Sequence, residues 1–204
     1  MSDFFSALQQ HAFLQYALIG GLLASICCGI VGSYVVAKRI AYLASGIAHT
    51  ILGGMGIAAY LGGNPLVGAL IAALGAAIVI GWINLRWREH EDTLISVMWS
   101  VGMAVGIVFV AKTPGYTTDL MSYLFGNILM LSPTELYWMA ILDVVLMLLV
   151  WWLRRPFLAL CFDEEYARLR GVPVVPLYML LLCMVAVTVV VLTQVVGLIL
   201  VIAL

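Results

Sequence analysis

The sequence predicts an all-α, polytopic helical membrane protein. Three observations carry this. Of 204 residues, 65% are apolar and only 9% charged, against about 25% charged in an ordinary soluble domain. The apolar residues fall in runs long enough to cross a bilayer, which takes roughly 20 residues per helix. The charges fall between the runs.

Seven runs follow in order: Phe13 to Val36, Ala41 to Leu61, Pro65 to Leu85, Thr93 to Ala111, Leu136 to Leu153, Val174 to Leu192, and one beginning near Val195 that is still apolar at Leu204. Residues 1–12 hold no Lys or Arg. The first run is therefore read as a true span and not as a cleaved signal peptide. The last run ends without a polar flank, so the expectation is a single transmembrane domain over 1–204 whose C-terminal part is missing. Membrane strands would be half as long and would alternate apolar with polar residues. Backbone satisfaction in lipid leaves helices. Membrane lipid is the expected surround, and no nucleic-acid partner is expected.

Eight of the nine basic residues lie in every second loop: Lys38 and Arg39; Arg86 and Arg88; Arg154, Arg155, Arg168 and Arg170. The alternate loops hold only Lys112. The positive-inside rule places the basic loops in the cytoplasm, and the N-terminus and the 112–135 segment outside. Within that outer segment a short helix from about Asp119 to Leu131 is expected to lie on or dip into the outer face.

Few residues inside the runs carry chemistry. His49 lies near the middle of the second run, where an ionisable group is costly and marks a functional site by default. Ser45 lies one turn earlier, and small residues crowd the same run: Ala41, Ala44, Gly46, Ala48, Gly53, Gly54 and Gly56. Such a helix packs closely against its neighbours. An imidazole there either ligates a metal or braces two helices through a hydroxyl or carbonyl. Asp143 sits mid-run in the fifth span, where it is expected to face the bundle interior. There it contacts a permeating cation or bonds a Ser, Thr or His on another helix. Cys27 and Cys28 read as small packing residues, and no Cys/His spacing suggests a zinc finger or redox motif. The REHED run, Arg88 to Asp92, reads as a solvated turn. His11 reads as interfacial.

The loop RRPFLALCFDEEYARLRGVP, 154–173, has the order of a short amphipathic helix. Phe162, Asp163, Glu164 and Glu165 open it, with acids where the helix dipole favours them. Arg168 and Arg170 close it, and Gly171 and Pro173 stop it. A charged helix on the cytoplasmic face is either a docking element for a soluble partner or a plain connector. No P-loop, HExxH or GxSxG motif occurs, so any ATP used must bind to another chain.

Four stretches taken together resemble one family, the permeases of bacterial ABC importers for zinc, manganese and iron. SGIAHTILGG (45–54) is similar to that family's second-helix motif, DLMSYLFGNIL (119–129) to its segment before the central helices, FDEEYARLRGVPV (162–174) to its coupling-helix region, and VVGLILVIAL (195–204) to the start of its next motif. The resemblance implies a multi-pass protein of the bacterial cytoplasmic membrane. It implies a homodimer with the pore near the dimer axis, two cytoplasmic ATP-binding subunits beneath, and an extracytoplasmic metal-binding protein above. It maps His49 onto the pore histidine, with Ser45 lining the pore where the family often has Asp. Phe162, Asp163, Glu164, Glu165, Arg168 and Gly171 become the ATPase-docking set. The cargo is a divalent transition-metal ion, with zinc favoured by the imidazole and by the missing aspartate, and manganese or iron as alternatives. No permanently bound cofactor is expected. The competing expectation is a self-contained secondary transporter or channel that moves cations by way of His49 and Asp143.

Overall fold

The computed structural model describes residues 11–86, 91–113, 126 and 128–197. Among these the secondary structure is helical, and six helices are long and apolar enough to cross a membrane. We label the helices α1 (Ala12–Lys38), α2 (Ala41–Tyr60), α3 (Pro65–Arg86), α4 (Glu91–Lys112), α5 (Pro133–Trp152), α6 (Arg154–Phe162), α7 (Glu164–Leu169) and α8 (Val174–Val195). The first six apolar runs correspond to α1 to α5 and α8. The seventh, past Gly197, lies outside the described residues, as do Arg88 to His90 of the REHED run. So does most of the helix expected near 119–131; its described end, Ile128–Met130, is a 3-10 turn.

The turns between spans follow from local chemistry. Arg39 adopts the left-handed conformation (φ 58°), and its N–H and that of Ile40 reach back to carbonyls of the last turn of α1. The chain thereby reverses in two residues, although this conformation costs a non-glycine residue roughly 1–2 kcal/mol. Gly62 (φ 72°) and the Asn64 side chain, which accepts from the Leu66 N–H at 2.9 Å, make the turn into α3. A capping box opens α5: the Glu135 N–H donates to the Ser132 hydroxyl at 3.3 Å, and the Ser132 N–H donates to the Glu135 carboxylate at 2.8 Å. With Pro133 at the first helical position, this starts the fifth span three residues before the apolar run does.

Helix α2 is the centre of the bundle, held between α3 and α4. In lipid no hydrophobic force drives helices together, and close backbone approach takes its place. The glycines of α2 supply that approach. A Cβ added at Gly53 would meet the Gly102 carbonyl oxygen at 2.9 Å, and one at Gly56 would meet that of Gly106 at 2.7 Å, both on α4. Gly54 makes the same kind of contact with Gly68 and Ala72 of α3. Helix α8 packs along α3, where Gly81 leaves room for Met179 and Leu182. The main core joins Ile47, Ile51, Leu181, Leu182, Phe157 and Leu160; a smaller one joins Ala24, Leu131, Leu136, Met139, Leu192 and Val195.

The loop expected to hold one short helix holds two. Helix α6 was not expected: RRPFLALCF buries Phe157 and Leu160 completely on one face, with Ala159 packed beside them. Helix α7 is the expected one. The Asp163 carboxylate accepts from the Tyr166 N–H at 2.9 Å, and Gly171 (φ 74°) ends the segment.

Candidate functional site: the membrane midplane and the charged end

His49 lies halfway along α2 and is only 7% exposed. Its ring stacks on that of Trp99 of α4, with centroids 4.2 Å apart and planes 10° from parallel. Stacking occupies the face of the imidazole and leaves its edge, which carries both nitrogens. Neither nitrogen has a hydrogen-bond partner among the described residues. The bracing reading needed a hydroxyl or carbonyl at one of them, and Ser45 does not supply it. Ser45 instead lines a cavity of about 210 Å³ between α1, α2 and α8, with Cys28, Ala48 and Thr188, and His49 is not part of that lining. Ser45 thus borders the α1–α8 side of α2, while the His49 ring lies against Trp99 of α4.

Asp143 lies mid-way along α5, 5% exposed, facing the bundle interior as expected. At Oδ2 none of the expected Ser, Thr or His bonds it among the described residues. The Cys27 side chain of α1 lies against the carboxylate, and the Cys27 thiol donates to the Thr188 hydroxyl of α8 at 3.6 Å. Asp143 Oδ2 has no partner among the described residues. His49 and Asp143 thus belong to two separate polar groups at similar depth, one on the α2–α4 side and one among α1, α5 and α8. No cluster of three His, Cys, Asp or Glu side chains occurs among the described residues.

The charged end is organised differently. Lys38, Arg39, Asn84 and Leu85 share a cleft of about 630 Å³ with Phe162, Asp163, Glu164, Glu165 and Arg168. Three of the basic loops therefore gather at one end of the bundle. Lys38 pairs with Glu164 and donates to the Leu160 carbonyl oxygen at 3.0 Å, which ties the end of α1 to α6 and α7. Arg170 donates through Nε to the Tyr166 hydroxyl at 2.9 Å. Burial pushes the Cys161 thiol up in pKa, opposed by the nearby Lys38 ammonium. Beside these paired charges stand two unburied apolar side chains, Phe162 and Leu169, each 87% exposed.

Sequence reasoning missed Trp99, Cys27 and Lys38. Trp99 lies 50 positions from His49 on another helix, and no local pattern links them. Lys38 was counted only as a topology charge.

The model of the ABC 3 transport family matches residues 10–204. A "Probable metal transport system membrane protein" of Chlamydia trachomatis is 45% identical over 90% of this chain and 65% of its own length. The manganese transport system membrane protein MntC of Halalkalibacterium halodurans is 32% identical over 100% of this chain and 70% of its own. The solved structure of PsaBC from Streptococcus pneumoniae in complex with Fab superimposes with a TM-score of 0.86 at 32% identity, over 99% of this chain and 73% of that one. The chain spans 65% and 70% of the length of these two curated relatives.

Proposed function

The chain belongs to the ABC 3 transport family, and we propose that it forms the membrane path for a divalent transition-metal ion in an importer driven by ATP hydrolysis on separate subunits. One observation carries the reading of the path: a buried imidazole at mid-membrane depth whose two nitrogens have no partner among the described residues. A histidine that only braced helices would spend those nitrogens on them. An ion that has shed water needs replacement donors, and a sparse site lets it leave again. In this reading His49 supplies a ligand, and Trp99 holds the ring in place.

The assembly completes the proposal. A second copy of the chain pairs across a pore axis, residues 1–204 act as one domain within each copy, and an extracytoplasmic metal-binding protein delivers the ion. The basic end is cytoplasmic, the N-terminus outside, and the α6–α7 segment docks the ATP-binding subunit through Phe162 and Leu169. The gathering of Lys38, Arg39 and Arg168 at one end supports this orientation. Family membership speaks against a self-contained carrier. For the cargo, imidazole ligation favours zinc, while one relative carries manganese and another iron in its name. Uptake of radioactive manganese and zinc, measured in cells carrying the complete system, tests both points. Uptake of one metal, lost when the ATP-binding subunit is removed, is the expected result. Uptake that persists without that subunit would refute the ATP-driven reading.

A further inference from the structure

The second polar group at the midplane has no place in the path just described. Cys27, Asp143 and Thr188 come from three helices and are 2%, 5% and 4% exposed. The thiol reaches Thr188 and lies against the carboxylate, while Asp143 Oδ2 has no partner among the described residues. A carboxylate in the middle of a span is expensive to keep, and a packing role would be served as well by an apolar residue.

One member of the group borders open space. Thr188 contacts the Cys27 thiol and lines the 210 Å³ cavity, whose opposite wall is α2 at Ser45 and Ala48. That cavity is bordered by Thr188 on one side and by Ala48, the residue next to His49, on the other; Cys27 and Asp143 lie behind Thr188 and do not line it. The two groups differ in charge. A neutral imidazole leaves both positive charges of the ion uncompensated in a low-dielectric medium, whereas a thiolate with a carboxylate cancels both.

We propose that Cys27 and Asp143, with the Thr188 hydroxyl beside them, form a second station for a divalent transition-metal cation, one helix away from His49. The proposal rests on the metal-transport reading above. Binding is a ligand exchange. The Cys27 S–H bond gives way to an S–metal bond, the proton leaves to water, and Asp143 offers an oxygen without a change of oxidation state. One soft and one hard anionic donor suit zinc or ferrous iron better than manganese, so this station bears on which metal passes.

Cobalt(II) is the probe, added to the purified full-length protein. A thiolate–cobalt charge-transfer band in the near ultraviolet is the expected result. The band should vanish in Cys27→Ser, persist in Cys28→Ser and in His49→Ala, and need at least tenfold more cobalt in Asp143→Asn. Thermal unfolding and gel filtration of each variant establish that it is folded. Should Cys27→Ser not fold, Thr188→Val and Asp143→Asn carry the test through the cobalt dependence of the band. A wild-type protein with no such band, or one whose band survives Cys27→Ser, overturns the proposal. If metal uptake is intact in that case, the transport reading stands without it; if no metal is taken up at all, the transport reading itself has failed.

Discussion

The midplane of α2 and the charged end of the bundle use polar groups in opposite ways. At the charged end several charges have partners: Lys38 with Glu164 and the Leu160 carbonyl, Asp163 with the Tyr166 N–H, Arg170 with the Tyr166 hydroxyl. Beside them stand exposed apolar side chains, Phe162 and Leu169. At the midplane the surroundings are apolar, and the unsatisfied atoms are polar: His49 Nδ1 and Nε2, and Asp143 Oδ2. A lone polar atom in lipid is costly, and so is an exposed Phe in water. Each region leaves open the kind of group its proposed visitor would cover, a desolvated cation at the midplane and a protein surface at the end.

The largest effect should come from the glycine crossings that hold the midplane together. Gly56→Leu drives a side chain into the Gly106 backbone at a position already tight at 2.7 Å. Overpacking typically costs about 1–3 kcal/mol, and more where backbone is the obstacle, so loss of folded protein in detergent is expected. Gly29→Leu, with nothing near its Cβ, should fold normally. Equal tolerance at both sites would mean that α2 is not clamped between α3 and α4.

Next in size is the apolar surface at the charged end. Leu169→Glu leaves the internal pairs of α7 untouched and places a charge on the proposed contact. Co-purification of the ATP-binding subunit should fall at least tenfold, with the protein's own stability unchanged. Normal co-purification and normal stimulation of ATP hydrolysis would show that α7 is only a connector.

These two regions were not equally legible in the sequence. The spans were readable because an apolar run of bilayer length has one stable outcome, and the start of α7 because its acids cluster where the helix dipole favours them. Helix α6 was hidden by the two arginines and Pro156 of RRPFLALCF, which read as a connector until burial of Phe157 and Leu160 shows its apolar face. The depth of His49 and Asp143 could be read from their place within a run. Their neighbours could not, since Trp99 and Cys27 reach them from other helices. The start of α5 at Pro133 was missed because a capping box is polar, and an apolar window does not register it.

A smaller effect is expected from the tie between α1 and α7. Lys38→Met leaves Glu164 without its ammonium in a half-buried cleft. Ion pairs with solvent access contribute about 0.2–1 kcal/mol, so the melting temperature should drop by a few degrees at most. The double variant with Glu164→Gln should lose less than the two single losses added. Additive losses would mean that the two side chains are not coupled. The smallest perturbation is topological. Glu91→Cys should resist a membrane-impermeant thiol reagent added to intact cells, and Thr117→Cys should react. The reverse pattern would invert the orientation of both regions.

The most direct measurement compares His49→Gln with the wild type in metal uptake and in ATP hydrolysis by the assembled importer. Glutamine keeps hydrogen-bonding capacity and similar reach but ligates transition metals poorly. Uptake reduced at least tenfold, with membrane insertion and ATPase docking intact, is the predicted result. Uptake at the wild-type rate would make His49 a structural histidine and contradict the account of the midplane.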